Sequence, residues 1–256
     1  MHSIAVAMVE PQYHVNVGHV ARLMKNFGLK NLYFINPRFD SEEAKRYAMH
    51  GSDVLAQSKT VTLAVLKKKF DYMIGTTAIG ATSRLNVLRE SIGADELAAI
   101  LHKGRQKRFC IVLGREASGM NNKELAACDL VCSIETKTKY KTMNIAHALA
   151  VLLYEIARHK SAEQTKLGKK RIDFASKEDV ALLLQYVEKL ADAGNFDGHK
   201  KPLLKAAVKK IVARSLPTTK DVMLLVSLLR KALLAIERKN ISRKRKSFLS
   251  QAGVRP

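Results

Sequence analysis

Short unbroken apolar runs alternate with amphipathic stripes through the first part of the chain, the pattern of parallel strands joined by crossover helices. Ser3 to Val9 is the first run, and it stops at Glu10-Pro11, where proline cannot continue a ladder. Val20, Leu23, Met24 and Phe27 then recur at helical spacing. A helix is expected over Gly18 to Phe27, ended by Gly28, with NLYFINP as the second strand. Ser41 to His50 reads as a helix with a Ser cap and Glu42 and Glu43 in its first turn, and Leu63 to Phe70 as another. DYMIGTTA is a buried strand ending in Gly75-Thr76-Thr77-Ala78, and Ala94 to His102 a helix. FCIVLG and LVCSIE are the next strands, and the apolar helix IAHALAVLLYEI opens at Asn144, a favoured N-cap.

Beyond Arg158 the pattern changes. HKSAEQTKLGKKRIDFASK has no apolar period and reads as a basic linker, placed at 160–177 after a first domain of 1–159. Ser176 and Asp179 form a capping-box-like start. Three helices are expected after it: Lys177 to Ala193, Pro202 to Ser215 and Thr218 to Lys239. Leu182, Leu183, Tyr186, Val187 and Leu190 make the apolar stripe of the first, and Leu224, Leu225, Leu228, Leu229, Leu233 and Ile236 that of the last. They form a small helical domain at 178–240, and 241–256 reads as a disordered basic tail around Arg243 to Lys246.

Charge sharpens this division. The 256 residues carry a formal net charge of +22, and from Ala157 to Pro256 there are 24 Lys and Arg against 9 Asp and Glu. A polyanionic partner follows, nucleic acid before membrane, with the helical part as its grip. Apolar residues make up 47% of the chain, yet no run approaches the roughly 18 needed to span a bilayer. The opening MHSIAVAMVEPQ lacks the basic start and long apolar core of a signal peptide. Cys110, Cys128 and Cys132 are an odd set without C-x-x-C spacing, read as buried thiols of a reducing cytoplasm rather than disulfides or metal ligands.

Candidate chemistry gathers at strand ends, where open α/β sheets bind ligands. Gly114-Arg115-Glu116-Ala117-Ser118-Gly119 follows a buried strand with a glycine at each end and one carboxylate between them. It is neither a Walker loop nor a G-x-G-x-x-G dinucleotide fingerprint, so pattern alone leaves the ligand unnamed. Asn16 and Arg22 stand six apart, on the loop entering the first helix and in its second turn. His14, His19 and His147 lack metal-ligand spacing and read as packing or surface residues.

Three segments, taken together, carry a resemblance. N-x-G-x-x-x-R-x-x-x-x-F-G at Asn16, G-x-E-x-x-G at Gly114, and Thr142-Met143-Asn144 where the usual pattern is S-L-N resemble the three motifs of SpoU/TrmH-type RNA 2′-O-methyltransferases of the SPOUT superfamily. The resemblance covers roughly residues 3 to 158. It implies an α/β fold whose parallel sheet ends in a carboxyl-terminal trefoil knot, followed here by the small α-helical region. It implies S-adenosyl-L-methionine as methyl donor, no metal, and a homodimer.

Carried onto this sequence, the catalytic positions are Asn16, Arg22, Glu116, Thr142 and Asn144. Donor contacts fall on Thr77, Ala78, Leu113, Gly114, Gly119, Ile134 and Met143. Arg84, Arg89 and Arg115 are expected at RNA phosphates, since the guanidinium fork binds them bidentately. An arginine stays protonated in proteins, so Arg22 suits nucleotide positioning better than proton abstraction. More loosely, residues 178 to 239 resemble the carboxyl-terminal region of TrmJ-type tRNA methyltransferases, which implies tRNA and the pyrimidine ribose at position 32 as substrate. A ribosomal RNA substrate and a non-catalytic RNA-binding protein are the alternatives.

Overall fold

β1 (Ile4–Val9) lies at the middle of the sheet, every residue buried, and β5 (Phe109–Leu113) beside it is buried throughout as well. Their side chains, Ile, Ala, Val, Met, Phe, Cys and Leu, carry no polar atom that would need a partner between two covered faces. In this computed structural model residues 4–78, 91–138, 140–159 and 173–251 are described, with side chains up to 238. The other strands are β2 (Leu32–Ile35), β3 (Lys59–Thr60), β4 (Tyr72–Thr76) and β6 (Leu130–Cys132). All pairings are parallel, and the order is β3-β2-β1-β5-β4-β6. Ile111 sits opposite Val6 on one side and Ile74 on the other, which fixes the register of the three central strands.

Seven helices of this first unit are described: α1 (His14–Asn26), α2 (Ser41–Ala48), α3 (Ser52–Ala56), α4 (Leu63–Lys69), α5 (Ala94–Lys103), α6 (Asn122–Ala127) and α7 (Ile145–Arg158). Leu66 of α4 and Leu125 of α6 pack into one face with Ala5, Ala7, Cys110 and Val112. Val6, Met8, Ile111 and Leu113 alternate to the opposite face and are as deeply buried. α7 packs against both α1 and α5.

Several expectations change here. α1 starts at His14 rather than Gly18, so Asn16 lies inside its first turn. Tyr13 at the N-cap offers no side-chain hydrogen bond; the start is held by a distant carboxylate, described below. Asp40, not Ser41, caps α2, its carboxylate accepting from the Glu42 and Glu43 N–H groups at 2.8 and 3.0 Å. The two-residue β3 escaped notice because Lys59 and Thr60 are both exposed and carry no apolar signal. The three cysteines are buried thiols that form no disulfide among the described residues.

The chain divides into two units, Met1–Lys170 with Ala213–Leu216, and Arg171–Val212 with Pro217–Pro256. The second holds α8 (Lys177–Ala193), α9 (Lys201–Ser215) and α10 (Thr219–Gln251). Its core is Ala175, Leu183, Val212, Val222 and Val226. α10 is apolar on two sides, and Val222, Val226 and Leu229 face inward while Leu224, Leu225 and Leu228 stay exposed. Period alone did not choose between those faces. α10 also continues to Gln251, through residues expected to be a disordered tail, because no Gly or Pro interrupts the sequence from Thr219 to Gln251. Of the expected basic linker at 160–177, residues 160–172 lie outside the described residues. Among the described residues no helix is long and apolar enough to cross a membrane.

Gly18 and Gly51 set how closely α1 is gripped. A Cβ on Gly18 would stand 2.5 Å from the Tyr47 Cβ and 2.6 Å from the Ala44 carbonyl oxygen; one on Gly51 would stand 2.8 Å from the Arg22 backbone. Gly→Ala inside a helix ordinarily gains about 1 kcal/mol in propensity. Overpacking against backbone costs about 1–3 kcal/mol and should win. Gly18→Ala is therefore expected to lower the urea midpoint of unfolding; an unchanged or raised midpoint would refute the close α1–α2 contact.

Candidate active site

A cavity opens at the carboxyl ends of β4, β5 and β6, where the parallel strands stop and their loops diverge. Thr76, Thr77 and Ala78 line it from β4, Leu113 and Gly114 from β5, and Cys132 and Ile134 from β6. Lys141 and Met143 enter from the loop that follows, and α7 closes one wall with Ile145, Ala148 and Leu152. All seven residues expected at the donor, Thr77, Ala78, Leu113, Gly114, Gly119, Ile134 and Met143, are on its surface. Two glycines shape the loop between β5 and α6. Gly114 meets the Gly119 backbone so closely that a Cβ would stand 2.4 Å from its carbonyl carbon, and Gly119 has φ +66° with open space where a side chain would begin. Arg115 and Gly119 close the loop with backbone hydrogen bonds in both directions, at 3.2 and 2.9 Å.

This closure puts the Glu116 carboxylate under the start of α1. It accepts hydrogen bonds from the Gln12 and Tyr13 backbone N–H groups at 3.3–3.4 Å and from Asn16 Nδ2 at 3.4 Å. Those N–H groups precede the helix start, so the anion satisfies donors near the positive end of the macrodipole. Asn16 then accepts at Oδ1 from Asn144 Nδ2 at 2.9 Å. Asn144 in turn caps α7, its Oδ1 accepting from the Ala146 and His147 N–H groups. A carboxylate only accepts, so it fixes which way each amide points along the chain Glu116, Asn16, Asn144. Each amide keeps one N–H that this network does not use.

Arg115 has a different occupation from the RNA contact expected of it. Its guanidinium donates to Glu10 at 2.8 and 3.2 Å, to Glu124 at 2.8 and 3.0 Å, and to the Gly119 carbonyl at 3.3 Å. The side chain is 20% exposed. Glu124 also completes the capping box of α6 with Asn121, so this one arginine ties the end of β1, the glycine loop and α6 together. Glu10 takes φ +46° to turn the chain out of β1. The Arg115 hydrogen bond holds its carboxyl below the usual range. Glu10 and Glu124 were missed because neither stands in a motif; only the positive-φ turn after β1 and the capping-box spacing mark them.

Arg22 is exposed and stands apart from the network. It lines a second concave site with His19, Leu23 and Asn26 of α1 and Ala146, His147 and Ala150 of α7. α7 thus presents Ala148 and Leu152 to one depression and Ala146 and Ala150 to the other, with Asn144 at its cap. Thr142 is exposed, two residues before that cap. Arg84 and Arg89 lie outside the described residues. Cys132 lines the cavity, but burial pushes its thiol up to about 12, with Asp95 and Glu96 adding to the shift.

Comparison with known proteins adds independent findings. The model of the SpoU rRNA methylase family matches residues 3–154. The tRNA (cytidine-2′-O-)-methyltransferase TrmJ of Methanocaldococcus jannaschii is 35% identical over 227 residues, covering 88% of this chain and 97% of that protein. The enzyme of the same name from Sulfolobus acidocaldarius is 27% identical over 240 residues, covering 93% and 96%. Among solved structures, TrmJ from Z. mobilis ZM4 superposes with a TM-score of 0.62 at 20% identity, over 89% of this chain and 97% of that one. A probable methylase family protein from Haemophilus influenzae Rd KW20 gives 0.65 at 21%, over 93% and 99%. At those identities the structures show the fold.

The two carboxylate sites predict different behaviour. Replacing Glu116 with Gln puts an N–H₂ among groups that only donate. Stability should fall by about 1 kcal/mol, the scale of an anion at a helix start, or about 2–4 °C in melting temperature; an unchanged melt would sink the assignment. For Glu10 the folded pKa is lowered from 4.5. Its contribution is therefore present above that value and lost as pH falls through the folded pKa. Arg115→Gln should flatten this acid limb, seen as urea midpoints that depend less on pH below about 4.5 than the wild type's.

Proposed function

The chain belongs to the SpoU rRNA methylase family and is a methyltransferase, and from that premise we propose that it transfers the methyl group of S-adenosyl-L-methionine to a ribose 2′-oxygen of tRNA. The observation that carries the reading is one constellation: the strand-end cavity beside a network that joins Asn16, Glu116 and Asn144, with Arg22 of α1 lining the neighbouring depression against α7. The names of the two archaeal relatives, which match this chain across both units, support cytidine-2′-O chemistry on tRNA.

The cavity suits the donor. Leu113, Ile134, Met143, Ile145 and Leu152 offer apolar walls for a flat ring, and Gly119, with open space where a side chain would begin, leaves its backbone approachable for the ring's polar groups. When bound, S-adenosyl-L-methionine supplies a methyl group on a sulfonium sulfur, a leaving group that needs no activation. What remains for the chain's own residues is positioning. Arg22 holds a phosphate or the attacking oxygen, and the hydroxyl proton released by the transfer passes to that phosphate or to water. The unused N–H of Asn144 and that of Asn16 are the donors that orient the ribose, each amide held from its other side. Thr142 stands beside Met143 to assist.

The finer parts of the reading are the trefoil knot, the homodimer, the cytoplasmic setting and the pyrimidine at position 32 of the anticodon loop. The strand order, with β5 between β1 and β4 and β6 beyond them, supports the knot. The exposed Tyr154 on α7 supports a subunit contact there. The basic helices of the second unit support a grip on RNA outside the reacting nucleotide.

Labelled methyl transfer from S-adenosyl-L-methionine to an unmodified tRNA transcript tests the whole. Label is expected on tRNA and should vanish when position 32 carries a 2′-deoxyribose. Label confined to ribosomal RNA would keep the chemistry and overturn the substrate. Arg22→Ala should lower turnover roughly 10²-fold or more while donor binding stays unchanged; full activity would remove Arg22 from the site.

A further inference from the structure

We propose that Tyr140 is a stacking platform for an unpaired base of the substrate RNA, at the mouth of the donor cavity. It is 79% exposed, the most exposed of the large apolar side chains among the described residues. Leaving a phenol ring in water forgoes the burial that places most aromatic rings inside. Its position explains the exposure. The next residue, Lys141, and Met143 both line the donor cavity, and Asn144 caps α7 beside it. The ring therefore stands within four residues of the network that orients the ribose. The Thr138 hydroxyl donates to the Tyr140 carbonyl at 3.0 Å.

The flanking charges select the occupant. Lys137 and Lys141, which precede and follow Tyr140 in the same loop, are both exposed. An exposed aromatic residue with cations near it in the chain suits a single-stranded nucleic acid, in which bases alternate with phosphates. An apolar peptide would leave both ammonium groups without partners. Stacking tolerates every base, so Tyr140 adds affinity and holds the loop open around the target nucleotide. This rests on the tRNA reading above, and it gives that site a base contact besides the ribose.

The test compares wild type, Tyr140→Phe and Tyr140→Ala in tRNA binding at one fixed salt concentration, methyl transfer and S-adenosyl-L-methionine binding. Tyr140→Ala should raise the tRNA Kd and KM roughly tenfold or more, the loss expected for one stacked base. Tyr140→Phe should stay near wild type, and donor affinity should not change in either variant. A transcript series with one abasic residue at each anticodon-loop position should show wild type weakened at a single position where Tyr140→Ala responds no further. Unchanged tRNA affinity in Tyr140→Ala, or weakened donor binding instead, would overturn the platform. Wild-type methylation of tRNA in the same assay checks the substrate reading separately; its failure would overturn that reading and this proposal with it.

Discussion

Everything polar at this site depends on where one carboxylate can stand. Glu116 comes from a loop after β5, while the groups it satisfies, the Gln12 and Tyr13 N–H groups and the Asn16 amide, belong to the start of α1 about a hundred residues earlier. The anion replaces a local cap that Tyr13 does not supply. It also orders the amides of Asn16 and Asn144, so the caps of α1 and α7 are set by the same charge. The three motifs stand far apart in sequence because each contributes one link, and β1 beside β5 brings the links together.

That placement needs backbone to come closer than side chains allow. Gly114 touches the Gly119 backbone to fold the loop back, and Gly18 and Gly51 let α2 and the turn after it close on α1. The two sets of contacts fix the first two links of one hydrogen-bonded chain: the first holds the Glu116 carboxylate, the second the helix that carries Asn16. Hydrogen bonds of 3.3–3.4 Å would tolerate little further displacement before failing as hydrogen bonds. The glycines of motifs one and two are thus as necessary to the polar network as the residues that form it.

Much of the sheet was legible in the sequence, since β1, β2, β4, β5 and β6 are unbroken apolar runs and an apolar run between turn residues has few other solutions. The cavity residues came from the resemblance of the motifs, while the strand pattern alone gave only the strand ends where a ligand site should lie. What escaped were features decided by distant partners. α1 begins at His14 because of Glu116, which no local pattern announces. Arg115 looked available for RNA while its partners, Glu10 and Glu124, came from a turn and a capping box elsewhere. In α10 the expected stripe of leucines at 224, 225, 228, 229 and 233 with Ile236 was met only in part: the first three are exposed, while Leu229 packs inward with the valines at 222 and 226. Where two stripes compete on one helix, tertiary packing decides and the sequence period does not.

The distribution of charge around the site has a physical logic of its own. A polyanionic substrate must approach a region that contains Glu10, Glu116 and Glu124, and bare carboxylates there would repel it. None of them is bare. Glu10 and Glu124 share the guanidinium of Arg115, and Glu116 faces backbone N–H groups and an amide near a helix start. Their negative charge is turned inward as structure, while Arg22, Lys137 and Lys141 stay exposed. The arrangement lets a network held by anions sit beneath a surface that presents cations, and a net charge of +22 can draw RNA toward the site without those carboxylates opposing it.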